Sequence, residues 1–164
     1  MNENVQNNSG AGVLLYNVDA TGAMWVLLGR LDSGWTSFGG GCMPGESARD
    51  AAARECHEET RGLIAREDIG RLLVNAPSIR TTTPSGRMFT LFLVLWGREH
   101  GGGGIVREFG DVETCGMEEC FLEVREIGWH RLNELRSLRL RGPFRRDLAR
   151  VERRLQRERK VRHV

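Results

Sequence analysis

The chain predicts an α/β protein in which a sheet is covered by helices on both faces. Three stretches carry that prediction. Residues 88–96, Met-Phe-Thr-Leu-Phe-Leu-Val-Leu-Trp, are apolar on both faces of an extended segment, as a strand held between two layers requires. Ala48, Ala52 and Cys56 recur at helical spacing, and small side chains let such a helix lie close to a sheet. Phe144, Leu148, Val151 and Leu155 step by four, three and four along a second amphipathic helix. At 164 residues the chain is long enough for one domain with a sizeable core.

The elements follow in order. Residues 1–9 are polar, lack a signal-peptide core and read as a frayed tail. Residues 11–17 and 24–29 are short apolar runs separated by the turn signal Asp19-Ala20-Thr21-Gly22, which predicts a hairpin. Residues 35–38 form a brief extended segment entering the loop Gly39-Gly40-Gly41. A helix starts at Glu46 or Ser47 and runs to about Thr60, with Gly62 able to supply a left-handed cap. Strands are predicted over 74–82 and 87–96, joined by the turn Thr83-Pro84-Ser85-Gly86. Residues 97–116, with Gly101 to Gly104, read as a flexible loop or lid. A strand over 120–128 then leads through Trp129 into a short helix at 132–138. Gly142-Pro143 opens the last helix, Pro fitting its first turn. The main domain thus spans 10–141, and 142–164 is an Arg-rich helix packed on it, projecting or fraying after Leu155.

Composition excludes some classes. No run of 18 apolar residues occurs, so no membrane-spanning helix is expected. Cys42, Cys56, Cys115 and Cys120 form no CxxC pair, and neither His57, His100 nor His130 stands at zinc spacing from them. Free thiols in a reducing cytoplasmic setting are the default reading. Charge is unevenly spread. Residues 131–164 hold 13 basic and 4 acidic residues, against 11 basic and 18 acidic in the remainder. That asymmetry suits a polyanionic partner such as RNA and equally a solvated helix face.

The chemistry concentrates in residues 40–62. Glu55, Glu58 and Glu59 stand at i, i+3 and i+4 and share one helical face. Like charges at these spacings oppose helix formation by roughly a few tenths of a kcal/mol per pair. A cation seated on them explains the cluster, and three carboxylates with room for water suit Mg²⁺ serving a phosphate substrate, with Mn²⁺ an alternative. Arg54 can hold Glu58, its i+4 neighbour, through a charge-assisted bond.

This stretch resembles the Nudix box, the signature of the Nudix hydrolases. Gly40, Glu46, Arg54, Glu55, Glu58 and Glu59 fall in register with it, and Cys56 takes an aliphatic position. Two positions depart. Arg61 stands where the last Gly is expected, with Gly62-Leu63 one residue late, and Met43 stands where many members carry another Glu. Arg61 is read as an extra residue in the helix's last turn, favoured there by the helix dipole. The resemblance implies an α/β/α sandwich with a mixed sheet. It implies Mg-dependent hydrolysis of a nucleoside diphosphate linked to another moiety, such as an NTP, a dinucleoside polyphosphate or a nucleotide sugar. Glu55 and Glu59 lead as metal ligands, Glu58 is the third ligand or the base that orients water, and the Gly40 carbonyl completes the set. Family members often recruit a further Glu from a distal loop. Glu113, Glu118, Glu119 and Glu123 are the candidates, with Glu119 favoured. Arg80 and Arg87 flank a turn near the expected substrate mouth and are read as phosphate contacts. Among Trp25, Trp35, Phe38 and Phe89 one is read as a base platform, with Phe89 preferred.

Three other readings compete. A capped or 5′-polyphosphate RNA hydrolase would use the basic C-terminal region. A non-catalytic nucleotide sensor of the same fold, or a plain RNA-binding module, leaves the three glutamates without a purpose. Homodimer formation stays open.

Overall fold

In the computed structural model, which describes residues 9–83, 85–97 and 104–162, the first two strands are β1 (Gly10–Val18) and β2 (Met24–Leu31). They pair antiparallel as the expected hairpin. Asp19 locks the turn. Its carboxylate accepts from the Thr21 hydroxyl, the Trp25 indole and the backbone N–H groups of Thr21 and Ala23, and these donors hold its pKa well below the usual carboxylate range. β3 (Gly34–Thr36) pairs with β2, and β4 (Phe38–Gly41) pairs antiparallel with the first half of β1. The glycine run predicted as a loop is therefore strand. Glycine is needed because a Cβ on Gly39 would lie 2.6 Å from the Ala11 carbonyl oxygen of the neighbouring strand.

Helix α1 (Ala48–Glu59) and helix α2 (Arg66–Leu73) follow. α2 has no counterpart among the sequence expectations, and it shortens the strand predicted over 74–82 to β5 (Ser78–Thr82), with Val74 capping the helix. Ile69 and Leu73, one turn apart, are buried and drive residues 66–73 into a helix. β6 (Met88–Leu95) is the doubly buried strand, antiparallel to β5 and parallel to β1. Its parallel pairing makes the sheet mixed. The turn between β5 and β6 closes through Gly86 N–H to the Thr83 carbonyl at 2.8 Å; Pro84 lies outside the described residues.

Part of the predicted lid is helix. α3 (Ile105–Asp111) buries Ile105 and Phe109, while residues 98–103 and most of the tetraglycine lie outside the described residues, as do 1–8 and 163–164. The strand predicted over 120–128 also shifts. Residues 119–121 make one 3₁₀ turn, and β7 (Glu126–Arg131) starts later because its ladder with β2 sets the register, Arg30 opposite Glu126. Trp129 is inside this strand, and 3₁₀ turns span 132–137. α4 (Gly142–Arg162) continues past Leu155, where the end of the apolar stripe predicts fraying.

Strand alternation sorts the core into two layers. Val13, Leu15, Leu27, Phe92 and Val94 face α1, α2 and α3. Leu14, Tyr16, Val26, Leu28 and Leu93 face α4 and the 3₁₀ turns. Phe144, Leu148, Val151 and Leu155 are all buried there, each at most 5 % exposed. Four such side chains contribute roughly 6–12 kcal/mol of gross hydrophobic stabilisation, an upper bound. α4 is therefore an integral layer of the fold.

Candidate active site

Helix α1 brings the carboxylates to the end of β4. Its start is fixed by Ser47, whose hydroxyl accepts from Asp50 N–H at 3.1 Å and donates to the Asp50 carboxylate at 2.7 Å. Its apolar face, Ala51, Ala52 and Cys56, packs on the sheet, and burial pushes the Cys56 thiol's pKa far up, leaving it inert. All four cysteines are free thiols.

Arg54 is the hub of the opposite face. Its guanidinium grips Glu46 through Nε and Nη2 at 2.9 and 3.0 Å, and Nη2 also donates to the Gly41 carbonyl at 2.9 Å. Nη1 donates to Glu55 at 2.9 Å and reaches Glu58 at 3.4 Å. The expected bond to Glu58 is present but is the longest; the bidentate grip belongs to Glu46. The Arg54 guanidinium accordingly holds the Glu46 carboxyl below its ordinary range.

Glu55 and Glu59 shift in the opposite direction to Glu46. Burial is the main cause that raises both. Glu59 is 3 % exposed, and its pKa is raised well above 4.5 although it accepts the Gly39 N–H at 2.6 Å. Glu55 and Glu123 add repulsion, which Arg141 offsets in part. Of the distal acids, Glu123 acts on both Glu55 and Glu59. Glu119, favoured from sequence, is exposed on the 3₁₀ turn.

Among the described residues no three acids, thiols or imidazoles stand as a ready metal cage. Glu55 is turned to Arg54 and Glu59 to the Gly39 amide. The donor set nonetheless fits a divalent cation. Two buried, mutually repelling carboxylates gain from a cation, and hard oxygen donors suit Mg²⁺ or Mn²⁺. A Cβ on Gly40 would fall on the Glu55 carboxylate, so only glycine leaves that carboxylate its place beside the β4 backbone.

Beside this face lies a cleft of about 340 Å³. Gly39, Gly40 and Gly41 line one wall, and Arg87, Arg141 and Arg146 bring three cations to it. Phe89 lines it and is half-buried. Arg80 does not line it. Alternation along β5 turns Ile79 and Thr81 into the cleft and sends Arg80 to the other face. Phe38 is wholly buried, Trp25 is held by Asp19 and Arg131, and Trp35 packs edge-on against His130 at 4.5 Å between centroids. Arg141 and Arg146 were not singled out as site residues from sequence, because only the packing of α4 brings them to the cleft.

The end of α1 differs from the expectation. The helix stops at Glu59, with Thr60 as cap, and Arg61 leaves it in the left-handed region at φ 55°, followed by Gly62 at φ 77°. Arg61 donates to the carbonyls of Phe109 at 3.1 Å and Val124 at 3.4 Å, and its guanidinium lies 3.9 Å from the Phe109 ring centroid. It straps α1 to α3 and to the segment before β7. His57 Nδ1 bonds the Ile64 carbonyl at 2.8 Å nearby; His100 lies outside the described residues.

The NUDIX domain family matches residues 6–154. Similar solved structures include a MutT/Nudix family protein from Listeria innocua, 18% identical, with a TM-score of 0.61 over 94% of this chain and 98% of that one. A C. elegans Ap4A hydrolase is 18% identical, with a TM-score of 0.57 over 90% and 98%. A Nudix hydrolase from M. smegmatis is 18% identical, with a TM-score of 0.56 over 92% and 87%. At these identities the likeness is one of fold. No curated protein matches the chain. No helix among the described residues is long and apolar enough to cross a membrane.

Proposed function

The chain belongs to the Nudix hydrolase family, and on that premise we propose that it is a pyrophosphohydrolase of a nucleoside diphosphate linked to another moiety, such as an NTP, a dinucleoside polyphosphate or a nucleotide sugar. The observation that carries this reading is that strand β4, which lines a cleft with three arginines, also meets the carboxylates of Glu59 at Gly39 and Glu55 at Gly40. Acid and base side by side fit a substrate that needs both a metal and anion contacts.

Glu55, Glu59, Glu58 and the Gly40 carbonyl would hold the divalent cation, with Glu123 in the supporting place first assigned to Glu119. When bound, the cation supplies charge neutralisation on the diphosphate and a more acidic water. Arg87, Arg141 and Arg146 bind and orient the phosphate oxygens and stabilise charge as the bridging bond to phosphorus lengthens. Arg54 keeps Glu55 and Glu58 from swinging away, since its own place is set by Glu46 and Gly41. Glu58, half-buried and bonded to Arg54, is the carboxylate placed to accept a proton from the attacking water. Phe89 offers an apolar wall for a base. A sensor without catalysis is disfavoured because all three glutamates of α1 are retained.

A panel of NTPs, dinucleoside polyphosphates and nucleotide sugars, assayed with Mg²⁺ and with Mn²⁺, tests the reading. Glu59→Gln is the control. Turnover of at least one class, lost in the variant and in chelator, is expected. Undiminished activity in Glu59→Gln sinks the ligand assignment.

A further inference from the structure

α4 carries a second charged feature that this chemistry leaves unused. Arg146, Arg150, Arg153, Arg157 and Lys160 stand at i, i+4, i+7, i+11 and i+14, so they share one face of the helix, and all five are exposed. That face is opposite the stripe of Phe144, Leu148, Val151 and Leu155 that docks the helix. The helix's acids do not compensate it. Glu152 bonds Arg136, Glu158 bonds Arg154, and Asp147 touches only the first member, Arg146, at 3.5 Å. Arg150, Arg153, Arg157 and Lys160 have no ion pair among the described residues. Like charges at these spacings cost roughly a few tenths of a kcal/mol per neighbour pair, which an anion on the stripe would remove.

We propose that this stripe is a binding track for single-stranded RNA whose phosphorylated 5′ end enters the cleft; the proposal rests on the cleft being the diphosphate site. Three properties select this partner. The track is continuous with the cleft, because Arg146 belongs to both. Its length, about 21 Å from residue 146 to 160 at 1.5 Å per residue, is enough to follow several backbone phosphates of an extended strand. Four of its five cations are arginines, whose planar fork pairs with phosphate oxygens better than an ammonium does. A lipid surface fits poorly, since α4 buries its apolar face in the core and exposes one large aliphatic residue, Val161. RNA is also the polymer whose initiating nucleotide keeps its polyphosphate, which gives a 5′ end suited to this cleft.

Fluorescence anisotropy on the full chain tests this with an RNA of about ten nucleotides carrying either a 5′-hydroxyl or a 5′-triphosphate. The 5′-hydroxyl form is no substrate, so its binding is independent of whether the hydrolysis reading holds. Between about 50 and 200 mM salt, log affinity should fall against log salt with a slope near −3.5 for five cations on a single strand. The variant Arg150→Gln, Arg153→Gln, Arg157→Gln, Lys160→Gln should weaken RNA binding about tenfold or more and bring the slope to about −1, with mononucleotide turnover unchanged. Glutamine is a good helix former, and circular dichroism should be that of the parent. A second variant, Arg150→Lys, Arg153→Lys, Arg157→Lys, keeps the charge and should keep the slope. The triphosphate RNA should bind more tightly than the hydroxyl form and compete with a mononucleotide substrate. Equal RNA binding by parent and Gln variant overturns the track. Equal affinity for the two RNA ends overturns its continuity with the cleft. Stronger stripe-dependent binding to phosphatidylserine vesicles than to RNA overturns the partner.

Discussion

Helices α1 and α4 lie on opposite faces of one sheet, and both carry a row of like charges away from the core. The rows differ in what surrounds them. The glutamates of α1 are half-buried or buried and bonded to Arg54 or to β4. Arg146, Arg150, Arg153 and Arg157 of α4 are exposed. Charges in the first setting interact strongly and are costly to leave unpaired; charges in the second are screened. The same sequence device, charges at i, i+3 and i+4, therefore makes a stiff reaction site on one face and a salt-sensitive surface on the other.

The largest effect expected from breaking the first row is on turnover. Glu59→Gln weakens the hold on a cation worth several kcal/mol and should lower kcat by about 10²–10⁴-fold, read by initial rates under saturating substrate. The same change should stabilise the metal-free protein at neutral pH. The Glu59 carboxyl has a raised folded-state pKa, so its contribution to stability is fully present below the ordinary value of 4.5 and is lost as pH rises through the folded value. Denaturant midpoints in EDTA should fall for the parent between pH 4.5 and neutrality, and the fall should be shallower in the variant. Identical pH profiles would remove the burial argument for this group.

Arg54→Ala comes next. It strips Glu46, Glu55 and Glu58 of one cation while their side chains remain 10%, 14% and 17% exposed. Breaking such a pair by removing one partner costs about 3–5 kcal/mol, readable by urea denaturation. Glu46 supplies an opposite pH signature to Glu59. Its lowered pKa gives stability that is present above 4.5 and lost as pH falls through the folded value. That acid-side loss should vanish with Arg54.

These contrasts also explain what was legible in the residues. Glu55, Glu58 and Glu59 could be read because a helix fixes their shared face by spacing alone. α4 could be read from four apolar residues. Arg80 lies off the cleft wall and Glu119 is exposed on a 3₁₀ turn, and such facing depends on strand phase and turn geometry, neither of which local composition states. The glycine run was misread because its reason for lacking side chains, the carbonyl of Ala11 and the carboxylate of Glu55, lies on other elements. Arg141 and Arg146 were missed as cleft residues for the same cause. α2 was missed because its apolar pair, Ile69 and Leu73, is short and sits among charges.

Arg61 gives a smaller, signed test of how the stiff region is held. Arg61→Ala keeps the left-handed φ of 55° and loses two carbonyl bonds and the Phe109 contact. It should cost about 2 kcal/mol. Arg61→Gly loses the same contacts but relieves backbone strain, so it should cost about 1 kcal/mol less. Alanine equal to glycine by denaturation would show that no strain is stored there.

The smallest effect belongs to the second row. Replacing Arg150, Arg153, Arg157 and Lys160 by Gln removes three like-charge neighbour pairs within the set and three more with Arg146 and Arg154, against one lost attraction between Asp147 and Arg150, each worth roughly a few tenths of a kcal/mol. Helix propensity is nearly matched between these residues. Stability at low salt should therefore rise by about 0.5–1 kcal/mol, and the gain should fade in about 1 M salt, where the Debye length is near 3 Å. The sign is opposite to that of Arg54→Ala, although both changes delete arginine from a helix. A loss above about 1 kcal/mol in the four-residue variant would mean that the stripe holds the fold, and the division between a stiff acidic face and an open basic one would have to be abandoned.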